Sequence, residues 1–141
     1  MNFLFAAHSG VRYLVLVAGL VAAVMMLTGF LSRRPWGRPS RISMAVFTGV
    51  LDVQLLLGIA MVAMGRFYPS LMGHIVMMLL AVAAAHGLSV SARKQADGRR
   101  AHSLGLIGVV LALVLIVLGI GAIGRGVFES RAGGAVEAAA E

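Results

Sequence analysis

The sequence contains no cysteine. That absence excludes a disulfide frame, thiolate catalysis and iron–sulfur ligation, and it leaves the redox compartment unread from thiol content. Charge is scarce as well. Only 12% of the 141 residues are charged, and five of them are acidic, where soluble domains carry about 25% charged residues. No Ser/His/Asp set, no H-E-x-x-H zinc motif and no phosphate loop is present. The run GIGAIGRG at 119–126 superficially resembles a nucleotide fingerprint, but it ends an apolar stretch with no βαβ unit around it, which removes the structural context such a fingerprint needs.

What fills the chain instead is hydrocarbon. It is 60% hydrophobic with a mean hydropathy of +0.98, the composition of an integral membrane protein. A bilayer core takes about 20 consecutive apolar residues in a helix, and four such stretches are expected, at about 11–31, 42–64, 73–92 and 103–124. Residues 1–8 are too short and too uncharged for the n-region of a signal peptide; they read as the first helical turns at the outer interface. The fold class implied is all-α, an integral membrane four-helix bundle of residues 1–125, followed by a polar tail, 126–141.

The formal net charge is +7, and its placement decides its meaning. Arg33, Arg34, Arg38 and Arg41 share one short loop, and Arg93, Lys94, Arg99 and Arg100 share another. Both lie between apolar segments, the pattern of cytoplasmic loops facing anionic lipid and not of a nucleic-acid surface. Both termini are therefore expected on the non-cytoplasmic side. Trp36 in the first basic loop, and Phe67 with Tyr68 in the outer loop, read as interfacial anchors, and Arg12 reads as a boundary residue whose head reaches out of the membrane. The glycines at 105, 108, 119, 121 and 124 mark the fourth span as a packing helix, because small residues let helices approach closely in lipid.

Ionisable residues within such spans mark sites. His8 stands just above the first span and His74 opens the third, so the two imidazoles share one level near the outer face. Two histidines from different helices at one level is what bis-imidazole ligation of a haem requires. Arg12 and Arg66 are placed to hold haem propionates, since guanidinium pairs with carboxylate through a two-pronged fork. A second polar level is set by Asp52 and His86. His86 lies about 18 Å below His74 at 1.5 Å per residue, and a buried hydrogen-bonded pair with Asp52 is its first reading. The flanking Ala83, Ala84, Ala85 and Gly87 would also admit a planar pigment or a neighbouring helix. His102 belongs to the inner interface, where solvent or lipid phosphate is its expected partner. The methionines, among them Met25, Met26, Met61, Met64, Met72, Met77 and Met78, form no tight cluster with histidine and read as core filler before copper ligands.

The run His8-Ser9-Gly10-Val11-Arg12-Tyr13 resembles the opening of a family of small four-span bacterial membrane proteins labelled cytochrome-b-like. The family's second span carries H-x-Q-x-x-x-G, matched here by Asp52-Val53-Gln54 and then Gly58. Its outer loop and third span resemble Arg66-Phe67-Tyr68 followed by His74 and Met77-Met78, and a basic turn like Arg99-Arg100-Ala101-His102 precedes its fourth span. The likeness runs to about residue 108. One departure stands out: Asp52 occupies the place of the family's span-two histidine, so a site using that histidine is lost or altered, while His8 and His74 remain. The resemblance implies a b-type haem protein or subunit of the bacterial inner membrane, carrying electrons within a larger complex to a quinone or cytochrome partner and not an enzyme on its own. Three alternatives stay open. One is a cofactor-free accessory subunit of a respiratory or photosynthetic complex, another is a chlorophyll-type pigment on His86, and the third is proton or small-solute transport through Asp52 and His86.

Overall fold

The computed structural model describes residues 2–124 with 126 and 127, apart from the side chain of Asn2. It contains four helices, α1 (Asn2–Leu31), α2 (Arg38–Ala63), α3 (Leu71–Arg93) and α4 (Gly98–Gly121). Among the described residues there is no strand. The shortest helix, α3, has 23 residues; at 1.5 Å per residue that is about 35 Å, enough to cross a hydrocarbon core of about 30 Å. All four are long and apolar enough to span a membrane. Of the expected tail, 128–141 lies outside the described residues.

The helix ends follow local chemistry more than hydropathy. Helix α1 starts at Asn2, because FLFAAHSG continues the helix before the membrane is entered. Helix α2 starts at Arg38, with Gly37 extended at the N-cap and Pro39 in the first turn, where a missing N–H is harmless. Helix α4 starts at Gly98 because the Asp97 carboxylate accepts from the Arg99 backbone N–H at 3.0 Å, a capping interaction that apolar patterning does not display. It ends at Gly121, and Gly124 then turns the chain with φ +69°.

The helices pack unevenly. Helix α4 lies closely against α3 and also against α1, and α1 lies against α2; α2 and α3 barely meet. The bundle is thus closed on three sides and parted on the fourth. Its core runs through Val15, Ala22, Met26, Phe47, Ala85 and Val109. Close approach depends on missing side chains. A Cβ at Gly108 would stand 2.8 Å from Leu88 Cβ, and one at Gly105 would stand 2.7 Å from Met26 Sδ. The glycines at 105, 108 and 119 are therefore used inside the bundle, as expected of a packing helix.

At the inner end the expected solvent-facing His102 is instead almost wholly buried. Its Nδ1–H donates to the Gly98 carbonyl at 2.7 Å. Since a carbonyl only accepts, Nε2 is left to accept from the Ser40 hydroxyl at 2.8 Å. Trp36 packs on the same ring, with centroids 5.1 Å apart, so it serves the inner core as much as the interface. Together these residues tie the start of α2 to the start of α4. The reason His102 is inside is that α4 begins earlier than hydropathy suggests, which makes residue 102 a helix position facing α1 and α2.

Candidate functional site

At the outer end, the parted side of the bundle holds a cavity of about 610 Å³ between α1, α2 and α3. His8, Arg12, Gln54, Arg66, Tyr68 and His74 supply its polar wall, and Leu55, Ile75 and Met78 are among its apolar residues. All four residues expected at the outer site thus face one space. His8 and Arg12 reach it together because positions four apart share a helix face.

The two imidazoles lie with ring centroids 6.4 Å apart and planes at 75°. Each is held from behind. The His74 Nδ1–H donates to the Gly119 carbonyl of α4 at 2.9 Å, which in the neutral ring leaves Nε2 with its lone pair. Gly119 is where α4 passes close beneath: an added Cβ would stand 2.6 Å from Met78 Cε and 3.6 Å from His74 Nδ1. His8 is seated by α2. The Gln54 side-chain amide donates to the His8 carbonyl at 2.9 Å and stands 3.4 Å from its Nε2. One turn on, Gly58 leaves room for the ring, since a Cβ there would touch His8 Cε1 at 3.4 Å. His8 Nδ1 and Gln54 Oε1 are buried with no hydrogen-bond partner, two polar atoms turned toward nothing in the protein.

The arginines differ from expectation in detail. Arg12 is 9% exposed and does not reach outward; its guanidinium lies 4.8 Å over the Tyr13 ring and donates to the Tyr13 hydroxyl at 3.0 Å. The neighbouring aromatic ring and the cavity make burial tolerable for it. Arg66 lies 5.5 Å over the Phe5 ring. Both therefore enter the cavity mouth as oriented cations.

Asp52 and His86 do meet, with His86 Nε2 at 2.8 Å from Asp52 Oδ1. The expectation of a buried pair is corrected by their exposure: the side chains are 45% and 46% accessible. Because α2 and α3 part, the pair bridges the cleft at its outer edge and not across the interior. It does not line the cavity. His86 Nε2, a nitrogen a pigment would use, is already engaged. Among the described residues, no three His, Asp or Glu side chains converge as a metal site; His8 and His74 are the two imidazoles that meet.

Sequence reasoning left two partnerships unseen, Gln54 with His8 and Ser40 with His102. The first carried a signal in the Gln54 and Gly58 spacing, which is one helical turn; the second carried none. Comparison with family models, curated proteins and solved structures finds no significant match.

Proposed function

We propose that the outer cavity binds a b-type haem between His8 and His74, and that the chain is a membrane electron-transfer protein or subunit. The supporting observation is the pair of imidazoles in the cavity between α1, α2 and α3, 6.4 Å between ring centroids. Imidazole nitrogen binds a transition metal at about 2.0 Å. Two such bonds separate the nitrogens by about 4 Å, and ring centres beyond them by a little over 6 Å.

The residues present suit the group. His74 keeps Nε2 uncommitted, and His8 Nδ1 is buried without a partner; it would offer its lone pair in the tautomer that gives up the 3.4 Å contact of His8 Nε2 with the Gln54 amide. The carbonyl behind His74 fixes its ring and raises its basicity as a ligand. A cavity of about 610 Å³ falls within the usual 300–1,000 Å³ of cofactor sites. Arg12 and Arg66 line the same space and would place positive charge beside the carboxylates of the group. When bound, the haem supplies one-electron chemistry; the chain positions it, excludes water and sets its electrostatics. In this reading the basic loops at the opposite end lie on the cytoplasmic side of a bacterial inner membrane, as the positive-inside pattern favours, with a quinone or cytochrome as the redox partner on the outer side and other subunits of a larger complex around it.

Gly105, Gly108 and Gly119 of α4 are occupied within the bundle and not offered to a partner subunit. An absorbance spectrum of the purified chain tests the proposal. Reduced-minus-oxidised bands at b-haem positions are expected, and they should vanish in His8→Ala and in His74→Ala but persist in His102→Ala. A colourless protein after haem reconstitution, or bands untouched by both outer substitutions, overturns it.

A further inference from the structure

The Asp52–His86 pair sits where membrane proteins rarely leave ionisable groups. It is near the middle of two spanning helices and nearly half exposed on the outside of the bundle. Such residues ordinarily face the protein interior or a watery cavity, because lipid solvates neither charge nor unpaired hydrogen-bonding groups. Something other than lipid covers this face.

The chemistry of the pair says what. Among the described residues the pair makes one contact, between His86 Nε2 and Asp52 Oδ1. In a pair that is neutral overall, on whichever atom the shared proton sits, one donor, His86 Nδ1–H, and one acceptor, Asp52 Oδ2, remain unspent side by side. A patch that carries its own donor and its own acceptor is self-complementary, the condition a twofold interface imposes. The surroundings admit a close neighbour. Gly49, one turn from Asp52, and Gly87, beside His86, have open space where a Cβ would point. Val53 and Val90 extend the same two helix faces and are about half exposed. Small residues flanking a polar group are what tight helix association in lipid uses.

We propose that the chain forms a twofold dimer through the α2–α3 face, with the Asp52–His86 pair of one copy closing on that of the second. Each Asp52 is then hydrogen-bonded to the His86 ring of its own copy and accepts from that of the other, and the four groups are mutually satisfied and neutral as a set. The parted side of the bundle is covered by the same contact. This interface does not depend on the haem assignment.

The absence of cysteine makes the test direct. Single substitutions Val53→Cys and Gly87→Cys, on the α2–α3 face, are compared with Leu20→Cys on exposed α1 and Val110→Cys on exposed α4. Each full-length variant is oxidised in native membranes and sized. A disulfide-linked species of twice the chain mass is expected from the first two and not from the others. Monomer at all four positions, dimer at the control positions, or cross-linking of the first two to a protein of different mass overturns the proposal. As an independent arm, the double variant Asp52→Asn/His86→Gln should raise the dimer dissociation constant at least tenfold, read by energy transfer on dilution into lipid, while helical circular dichroism is retained. A folded double variant with unchanged affinity also overturns it, and if that variant does not fold, the cysteine series decides.

Discussion

Gly29 of α1 lies directly against the buried His102 ring, and a methyl added there would overlap its Cδ2 and Nε2. The ring cannot swing aside freely. It is 1% exposed, hydrogen-bonded at both nitrogens and packed against the tilted Trp36 ring. Gly29→Ala must therefore push α1 away from α4 or break the two hydrogen bonds. Overpacking costs about 1–3 kcal/mol. Hydrogen bonds inside membrane proteins average about 0.6 kcal/mol and reach about 1.7, so losing both instead costs about 1–3. By either route a destabilisation of about 1–3 kcal/mol is expected for Gly29→Ala. His102→Ala, which loses the same bonds and leaves a void, should cost about 2–4 kcal/mol. In that background the new methyl enters empty space, so the double variant should be little worse than His102→Ala alone, a favourable coupling of about 2 kcal/mol. Reversible unfolding in one detergent, followed by circular dichroism, measures all three. The reasoning fails if Gly29→Ala alone changes stability by less than about 0.5 kcal/mol, or if the two effects add within that margin. His8 is some 32 Å along α1 from Gly29 by helical rise, so the spectrum of the outer site should survive any variant that stays folded.

Two further outcomes follow from the same packing. Gln54→Leu removes the amide that holds the His8 backbone and also removes the buried, unpartnered Gln54 Oε1. These oppose one another, so stability should stay within about 1 kcal/mol, while haem affinity, read by titration against absorbance, falls about tenfold for the loss of one positioning bond. Affinity equal to the parent would mean that Gln54 does not position His8. Glycines should also divide by surroundings: Gly108→Ala, facing Leu88 Cβ at 2.8 Å, should lose about 1–3 kcal/mol, whereas Gly10→Ala, with open space, should gain about 0.5–1 kcal/mol of helix propensity. Equal thermal shifts for the two would contradict the close approach of α3 and α4.

Much of the fold was legible because a bilayer imposes a single length and a single polarity on every crossing. The four apolar spans and their all-helical class needed no tertiary information. The helix ends were less legible. Capping by Asp97 and the helical run before Val11 are local hydrogen-bonding matters that hydropathy averages over. His8 and His74 could be placed at one level from helical rise alone, and Asp52 could be assigned to His86 in the same way.

Rise fixes depth; it does not fix rotation or the distances between axes. Helices of low amphipathicity in lipid show no strong apolar stripe to betray which side faces inward. The sequence by itself therefore determined four crossings, their ends relative to charge, and which polar residues share a depth. Only the tertiary structure decided that α2 and α3 part, that His8 and His74 face one cavity, that His102 is locked inside, and that Asp52 with His86 looks outward. Those outcomes depend on which glycines meet which side chains across a helix pair, and that pairing exists only once the helices are packed.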